Sequence, residues 1–203
     1  MKYIETIPIC ANALFIYKLD IKNDWTLKFK KEKFKPAKIT NSETDKFMCL
    51  VGEDFNALNK YTELNKEIKK AVDQTLKKEL MLENIDYRIF SSWITKTPPQ
   101  SFSDPHNHCN SWLSGVYYPK GNPGFGIKFY HDGISQFFTP PKKYNKYNSR
   151  EWVVIPKDNY LVLFFSQLRH QIMPNLSAED RYSLAFNIIP TGNFGTGDSN
   201  IKF

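Results

Sequence analysis

Histidines are the residues in this chain best suited to chemistry, and there are four: His106, His108, His131 and His170. His106 and His108 stand two apart. In an extended segment both side chains leave the same face and can grip one ion. His170 follows the apolar run 160–165, which reads as a strand, so it falls at a strand end. Two ligands from one segment and a third from a distant strand end make a facial metal site, with positions open for substrate and dioxygen. The competing reading is a chance surface pair. Arg181 and Ser183 share one face of a further apolar strand. A buried arginine beside a hydroxyl suits a carboxylate, because the guanidinium fork binds it bidentately. The alternative pairs Arg181 with Glu179 or Asp180. His131 reads as an exposed residue of a His-Asp-Gly turn. Cys109 is a packed thiol or an oxidation-sensitive neighbour of the metal. Trp93 and Trp112 read as core, with pocket walls as the alternative.

These residues need a scaffold. Phe55, Leu58, Tyr61, Leu64, Ile68, Val72, Leu76 and Leu80 recur at steps of three and four, which predicts a helix over 54–81 with Asp54 as N-cap. Lys60, Lys66, Lys69, Lys70, Lys77 and Lys78 mark its wet face. Residues 12–19 read as a strand, and 25–38 as an edge strand or a solvated loop. From residue 86 onward the pattern is short β-branched and aromatic runs: 86–95, 111–118, 125–130, 151–155, 160–165 and 181–189. Turn signals separate them, among them Pro98-Pro99, 120–124, Asp132-Gly133, Pro140-Pro141 and 156–159. The expectation is α+β: a jelly roll with a packed N-terminal helix and flanking strands. Its parts would be one domain over 1–203, with support in 1–85, the β core in 86–195 and a tail in 196–203.

Length and composition agree with a folded chain. The 203 residues suffice for a sizeable core, 41% are hydrophobic and 24% charged, and 15% are aromatic, which argues against disorder. The longest apolar run, 160–165, is far short of the ~20 residues a membrane helix needs. The N-terminus shows no signal-peptide pattern. Cys10, Cys49 and Cys109 form no CxxC pair, so neither a disulfide framework nor a thiolate zinc cluster is expected. A reducing cytoplasm is the expected compartment. The segment 121–126 is glycine-rich but lacks the lysine and helix of a phosphate loop.

The ordered set of motifs resembles the iron(II)- and 2-oxoglutarate-dependent oxygenases. That family's pattern is HxD/E, a distant His, then Arg-x-Ser/Thr about ten residues later. Here His106-Asn107-His108, His170, and Arg181 with Ser183 match it. Segments 112–118 (WLSGVYY) and 124–130 (GFGIKFY) resemble two of the family's core strands. The nearest likeness is the prolyl-hydroxylase-like branch, and within it a bacterial and phage group with PHxH, SGVYY, LFxSxLxH and RxSxxFN segments. The resemblance covers residues 86–195. It implies a double-stranded β-helix fold, with Fe(II) held by His106, His108 and His170. It also implies 2-oxoglutarate held by Arg181 with Ser183 and Tyr118, and ascorbate as the reductant in vitro. The product side is succinate and CO₂, and the implied substrate is a protein or peptide side chain, proline among the candidates. Asn187 would orient a group behind the metal ligands or be a plain strand residue.

The chain departs from the family at one place. Where the pattern has Asp or Glu, it has His108. Three arrangements are open: a three-histidine site, His108 starting the motif with Asn110 in the carboxylate place, or Asp104 supplying the carboxylate. A non-catalytic binding module on a β-sandwich is the alternative function, and a nucleic-acid partner, suggested only by charge, ranks last. The net charge is +7. Residues 28–38 contribute a local +5 and residues 142–150 a local +4, so the rest is slightly acidic. Lys142, Lys143, Tyr144 and Lys146 are therefore expected in a loop at the site entrance that attracts an acidic substrate.

Overall fold

The computed structural model describes residues 3–5, 12–37, 43–82, 85–131, 139–195 and 197–202. Cys10 and the Asp132-Gly133 turn lie outside them. The first part carries strand β1 (Leu14–Lys18), helix α1 (Thr26–Phe29), strands β2 (Phe34–Pro36) and β3 (Leu50–Gly52), and helix α2 (Thr62–Gln74). Then come β4 (Asp86–Thr97), β5 (Leu113–Tyr118), β6 (Ile127–Tyr130), β7 (Glu151–Val154), β8 (Tyr160–Phe165), β9 (His170–Ile172) and β10 (Arg181–Thr191). A short ribbon of β11 (Asn193–Phe194) and β12 (Ile201–Lys202) follows.

Seven strands form one antiparallel sheet in the order β1-β8-β5-β10-β4-β3-β2, and β7-β6-β9 form a second. Val116, Tyr118, Val162 and Phe164 of the larger sheet pack against Ile127, Phe129 and Val154 of the smaller. The other face of the larger sheet packs on the helices: Leu113, Tyr117, Leu161, Leu163, Leu184 and Phe186 meet Leu64, Ile68, Val72 and Leu76. This is the expected double-stranded β-helix with a helix packed outside it. Strand alternation is what makes two faces possible. Gly115 points into the helix-side core, where a Cβ would sit 2.3 Å from Phe186 Cζ, so only glycine fits beneath that ring. Among the described residues no helix is long and apolar enough to cross a membrane.

Two expectations need correction. The helix predicted over 54–81 is broken. Ala57–Lys60 is a 3₁₀ turn, α2 starts only at Thr62, and Thr75–Glu79 is a π-turn closed by the Leu80 amide on the Thr75 carbonyl at 2.9 Å. Asp54 is no N-cap of α2. It accepts from the Asn56 amide and pairs with Lys60, which tightens the turn before the helix. Phe55 leaves the helical face and packs on Trp93. The second correction falls in 25–38, where α1 replaces part of the expected strand or loop. Trp25 and Phe29, four apart, are both buried in the helix-side core, and a helical turn aims both inward.

Candidate metal centre

His106 and His108 lie in the connection between β4 and β5, outside regular strands. Main-chain bonds hold them there. The amides of His106 and His170 each donate to the other's carbonyl at 2.8 Å, and the His108 amide donates to Ser166 at 2.9 Å. The three rings converge. His106 and His108 are stacked with centroids 5.4 Å apart, and His170 stands 4.5 Å from the first and 5.0 Å from the second. One nitrogen from each lies within 4.8 Å of the others.

Asp104 is not among the acidic, cysteine and histidine side chains that converge here. Asp104 is exposed and lends its main-chain carbonyl, 2.8 Å from His106 Nδ1. Asn110 is exposed in a turn at φ 57°.

Each imidazole is oriented from behind. His106 Nδ1 faces the Asp104 carbonyl, His170 Nδ1 faces the Leu168 carbonyl at 2.9 Å, and His108 Nδ1 faces Asn187 Oδ1 at 2.6 Å. All three partners are acceptors, so Nδ1 carries the proton and donates. The Nε2 lone pair is left for an ion. Burial and the neighbouring imidazoles push His170 down to about 3, and burial lowers His108, so both are neutral and ready to ligate. Asn187 thus orients His108. Two further residues were missed from sequence: Ser114 Oγ donates to Asn187 Oδ1 at 2.8 Å, lies 3.1 Å from His108 Nδ1, and touches Ser166 Oγ at 2.8 Å. Their signal was present, since Ser114, Ser166 and Asn187 are fixed letters of the SGVYY, LFxSxLxH and RxSxxFN segments.

The histidines line a small cavity of about 60 Å³ that Arg181, Ser183, Tyr118, Thr95 and Trp93 also line. Trp93 is therefore a pocket wall, whereas Trp112 packs on the helix-side core. Arg181 is 3% exposed, yet none of its three guanidinium nitrogens has a hydrogen-bond partner among the described residues. The alternative pairing is absent: Asp180 binds Lys96 at 2.8 Å. The Arg181 guanidinium lies over Tyr118 at 5.1 Å and Phe125 at 4.7 Å. Tyr118 Oη and Thr97 Oγ1, the latter on the residue opposite Arg181 in β4, are also buried without partners among the described residues. A buried cation with free donors fits an anion with several acceptor oxygens, and three convergent neutral imidazoles fit a divalent iron.

The basic segment lies outside this cavity. Lys142, Lys143, Tyr144 and Lys146 are exposed. Tyr144 lines a groove of about 680 Å³ with Pro140, Pro141 and Arg150. Lys146 lines a second slot of about 300 Å³ with Leu14, Ile16, Phe129, Trp152 and Leu168. Phe129 and Leu168 touch His170 from the other side, so this slot adjoins the metal centre. His131 borders the same slot, and Cys109 is exposed beside the histidines.

Residues 91–187 match the family model described as "Putative 2OG-Fe(II) oxygenase". No curated protein matches the chain. Solved structures with a similar fold include a Pseudomonas putida prolyl-4-hydroxylase, 18% identical, covering 87% of this chain and 92% of that one, with a TM-score of 0.56. A Trichoplax adhaerens prolyl hydroxylase in complex with a hypoxia inducible factor oxygen degradation domain peptide fragment is 11% identical over 88% and 84%, TM-score 0.60. HygX from Streptomyces hygroscopicus, with nickel, 2-oxoglutarate and hygromycin B bound, is 11% identical over 89% and 84%, TM-score 0.58. The matched segment runs from β4 into β10 and takes in the three histidines together with Arg181. With this match, the similar folds and the histidine triad, the chain is a non-haem iron, 2-oxoglutarate-dependent dioxygenase.

Proposed function

We propose that the enzyme hydroxylates a side chain of an acidic protein or peptide, with proline among the candidate residues. In this reading His106, His108 and His170 hold Fe(II) through Nε2. Arg181 holds the distal carboxylate of 2-oxoglutarate, and the hydroxyls of Ser183 and Tyr118 assist. The observation that carries the reading is the unpartnered, buried Arg181 in the same cavity as the three histidines. An unpaired buried charge is expensive, and a carboxylate ligand resolves it.

When bound there, Fe(II) and 2-oxoglutarate supply the oxidising power, with dioxygen consumed and succinate and CO₂ released. The chain's own residues position and enclose. Asp104, Leu168 and Asn187 hold the three Nδ1 protons in place and fix the ring planes. Val116, Ile127, Phe164 and Ile172 form walls that exclude water from the cavity. His106 is the exposed member of the triad, so substrate approaches from its side.

Two similar folds, 18% and 11% identical, are prolyl hydroxylases, one of them with a peptide bound, and this supports a peptide substrate. The exposed Lys142, Lys143 and Lys146 support an acidic one. The test uses Fe(II)-loaded protein with ascorbate. Calorimetry should detect 2-oxoglutarate binding, and a panel of acidic, proline-containing peptides should include one that gains a single oxygen by mass spectrometry. Arg181→Ala should abolish cosubstrate binding; undiminished binding would remove Arg181 from its role. Charge reversal at Lys142, Lys143 and Lys146 should weaken peptide turnover and leave 2-oxoglutarate binding intact. Unchanged turnover would make these lysines ordinary solvated surface.

A further inference from the structure

The charges in the cavity do not balance. Among the described residues its lining holds three histidines, Arg181 and otherwise uncharged side chains, with no carboxylate. A histidine that ligates a metal does so as a neutral imidazole. Fe(II) brings two positive charges and 2-oxoglutarate two negative ones, which cancel. The charge of Arg181 is then left over, in a site walled by Phe164, Ile127 and Val116, where a lone charge is poorly tolerated. In the HxD/E pattern a carboxylate in the first motif would supply the missing negative charge. In this chain that place is His108, whose Nδ1 is already committed to Asn187. The cavity also has an approach for an anion, because His106 is exposed.

We infer that the loaded centre of this enzyme takes one additional monoanion of the carboxylate class, delivered by an acidic group of the substrate or by a small anion from solution. This rests on the ligand set and clamp proposed above. It deepens that reading, because the acidity of the substrate becomes a requirement of the site as well as of the surface loop. The carboxylate of an Asp or Glu side chain near the hydroxylated residue would complete the charge balance when the substrate is bound, and would be absent before.

The test loads the full-length protein with Co(II) and 2-oxoglutarate under anaerobic conditions and follows the visible absorption of the cobalt. Acetate and azide are titrated in separate arms, then a peptide bearing one Glu and its Gln counterpart. The expected result is a saturable spectral change with acetate or azide. The Glu peptide should displace the small anion if the substrate is the source, and the Gln peptide should not. Displacement by neither peptide would assign the anion to solution. His108→Asp, which restores the carboxylate, should weaken the small-anion response by about tenfold or more. No spectral change in the wild-type protein, or an equal response in His108→Asp, would overturn the inference. Failure of Co(II) or of 2-oxoglutarate to bind is a separate result: it refutes the proposed ligand set or clamp, and the anion inference falls with it.

Discussion

Strand β10 serves two regions with opposite needs. Tyr182, Leu184, Phe186 and Ile188 point to the helices and are buried among apolar side chains. Arg181, Ser183 and Ala185, alternating with them, line the cavity, and Asn187 backs His108. The helix side is packed almost wholly from apolar groups, with Trp25 Nε1 buried there without a partner among the described residues. The cavity side buries a charge as well, since Arg181, with Tyr118 and Thr97, brings polar atoms there without partners among the described residues. The pairing of β10 with β4 also shifts register between Asn187 and Ile188, an irregularity beside the residue that orients His108. One strand thus holds the fold with half its residues and a ligand-dependent site with the other half. Stability and binding should therefore respond to different substitutions two or three residues apart.

The sharpest test removes a ring from the helix side. Phe186→Ala should lower unfolding free energy by about 3–5 kcal/mol in urea titration. The remaining folded protein should bind 2-oxoglutarate with unchanged affinity. Arg181→Met should do the reverse. Loss of charge-assisted hydrogen bonds, each about 1.5–3 kcal/mol, should weaken 2-oxoglutarate binding about 100-fold or more. The ligand-free protein should melt at the same temperature or higher, because an unpaired charge has left the interior. A large drop in that melting temperature would show that Arg181 serves the fold, and would break the contrast between the two faces. Asn187→Ala should reduce metal affinity about 10–100-fold in chelator competition, with little change in melting of the metal-free protein.

The smallest effect concerns Cys49, which senses the charge of Arg181. Burial raises its thiol from 9.0 to about 11, so the folded state keeps a proton that the unfolded chain loses. The stabilisation is present below pH 9 and fades as pH rises toward 11. Between pH 9 and 10 it should shrink by about 1 kcal/mol relative to Cys49→Ala, measured as the difference of the two stability profiles.

Much of the β core was legible because alternation and turn residues are local signals. Residues 160–165 coincide with β8, and 181–189 with most of β10. The short strand β9 was not, since three residues carry no period and its pairing with β6 is non-local. The broken helix was hidden for a related reason. The apolar spacing from Phe55 to Leu80 fits one helix, but the Asp54–Lys60 pair and the Thr75 turn interrupt it. The triad was legible as candidates; that the three rings converge depends on the His106–His170 and His108–Ser166 backbone contacts, which spacing does not encode. Ser114 and Ser166 were overlooked because a serine in an apolar strand reads as filler until its neighbours in space are known.

The reciprocal hydrogen bonds between His106 and His170 have a kinetic meaning. These two residues are far apart along the chain, and β5 to β8 and the basic segment lie between them. An ion gripping both rings acts as a reversible crosslink across that long loop, and closing a loop removes conformational freedom from the unfolded chain. The same two backbones must part for the loop to open. Loss of the ion and exchange of these two amide protons with solvent would then report one event, so deuterium uptake at positions 106 and 170 would serve as a clock for how long the enzyme retains its metal.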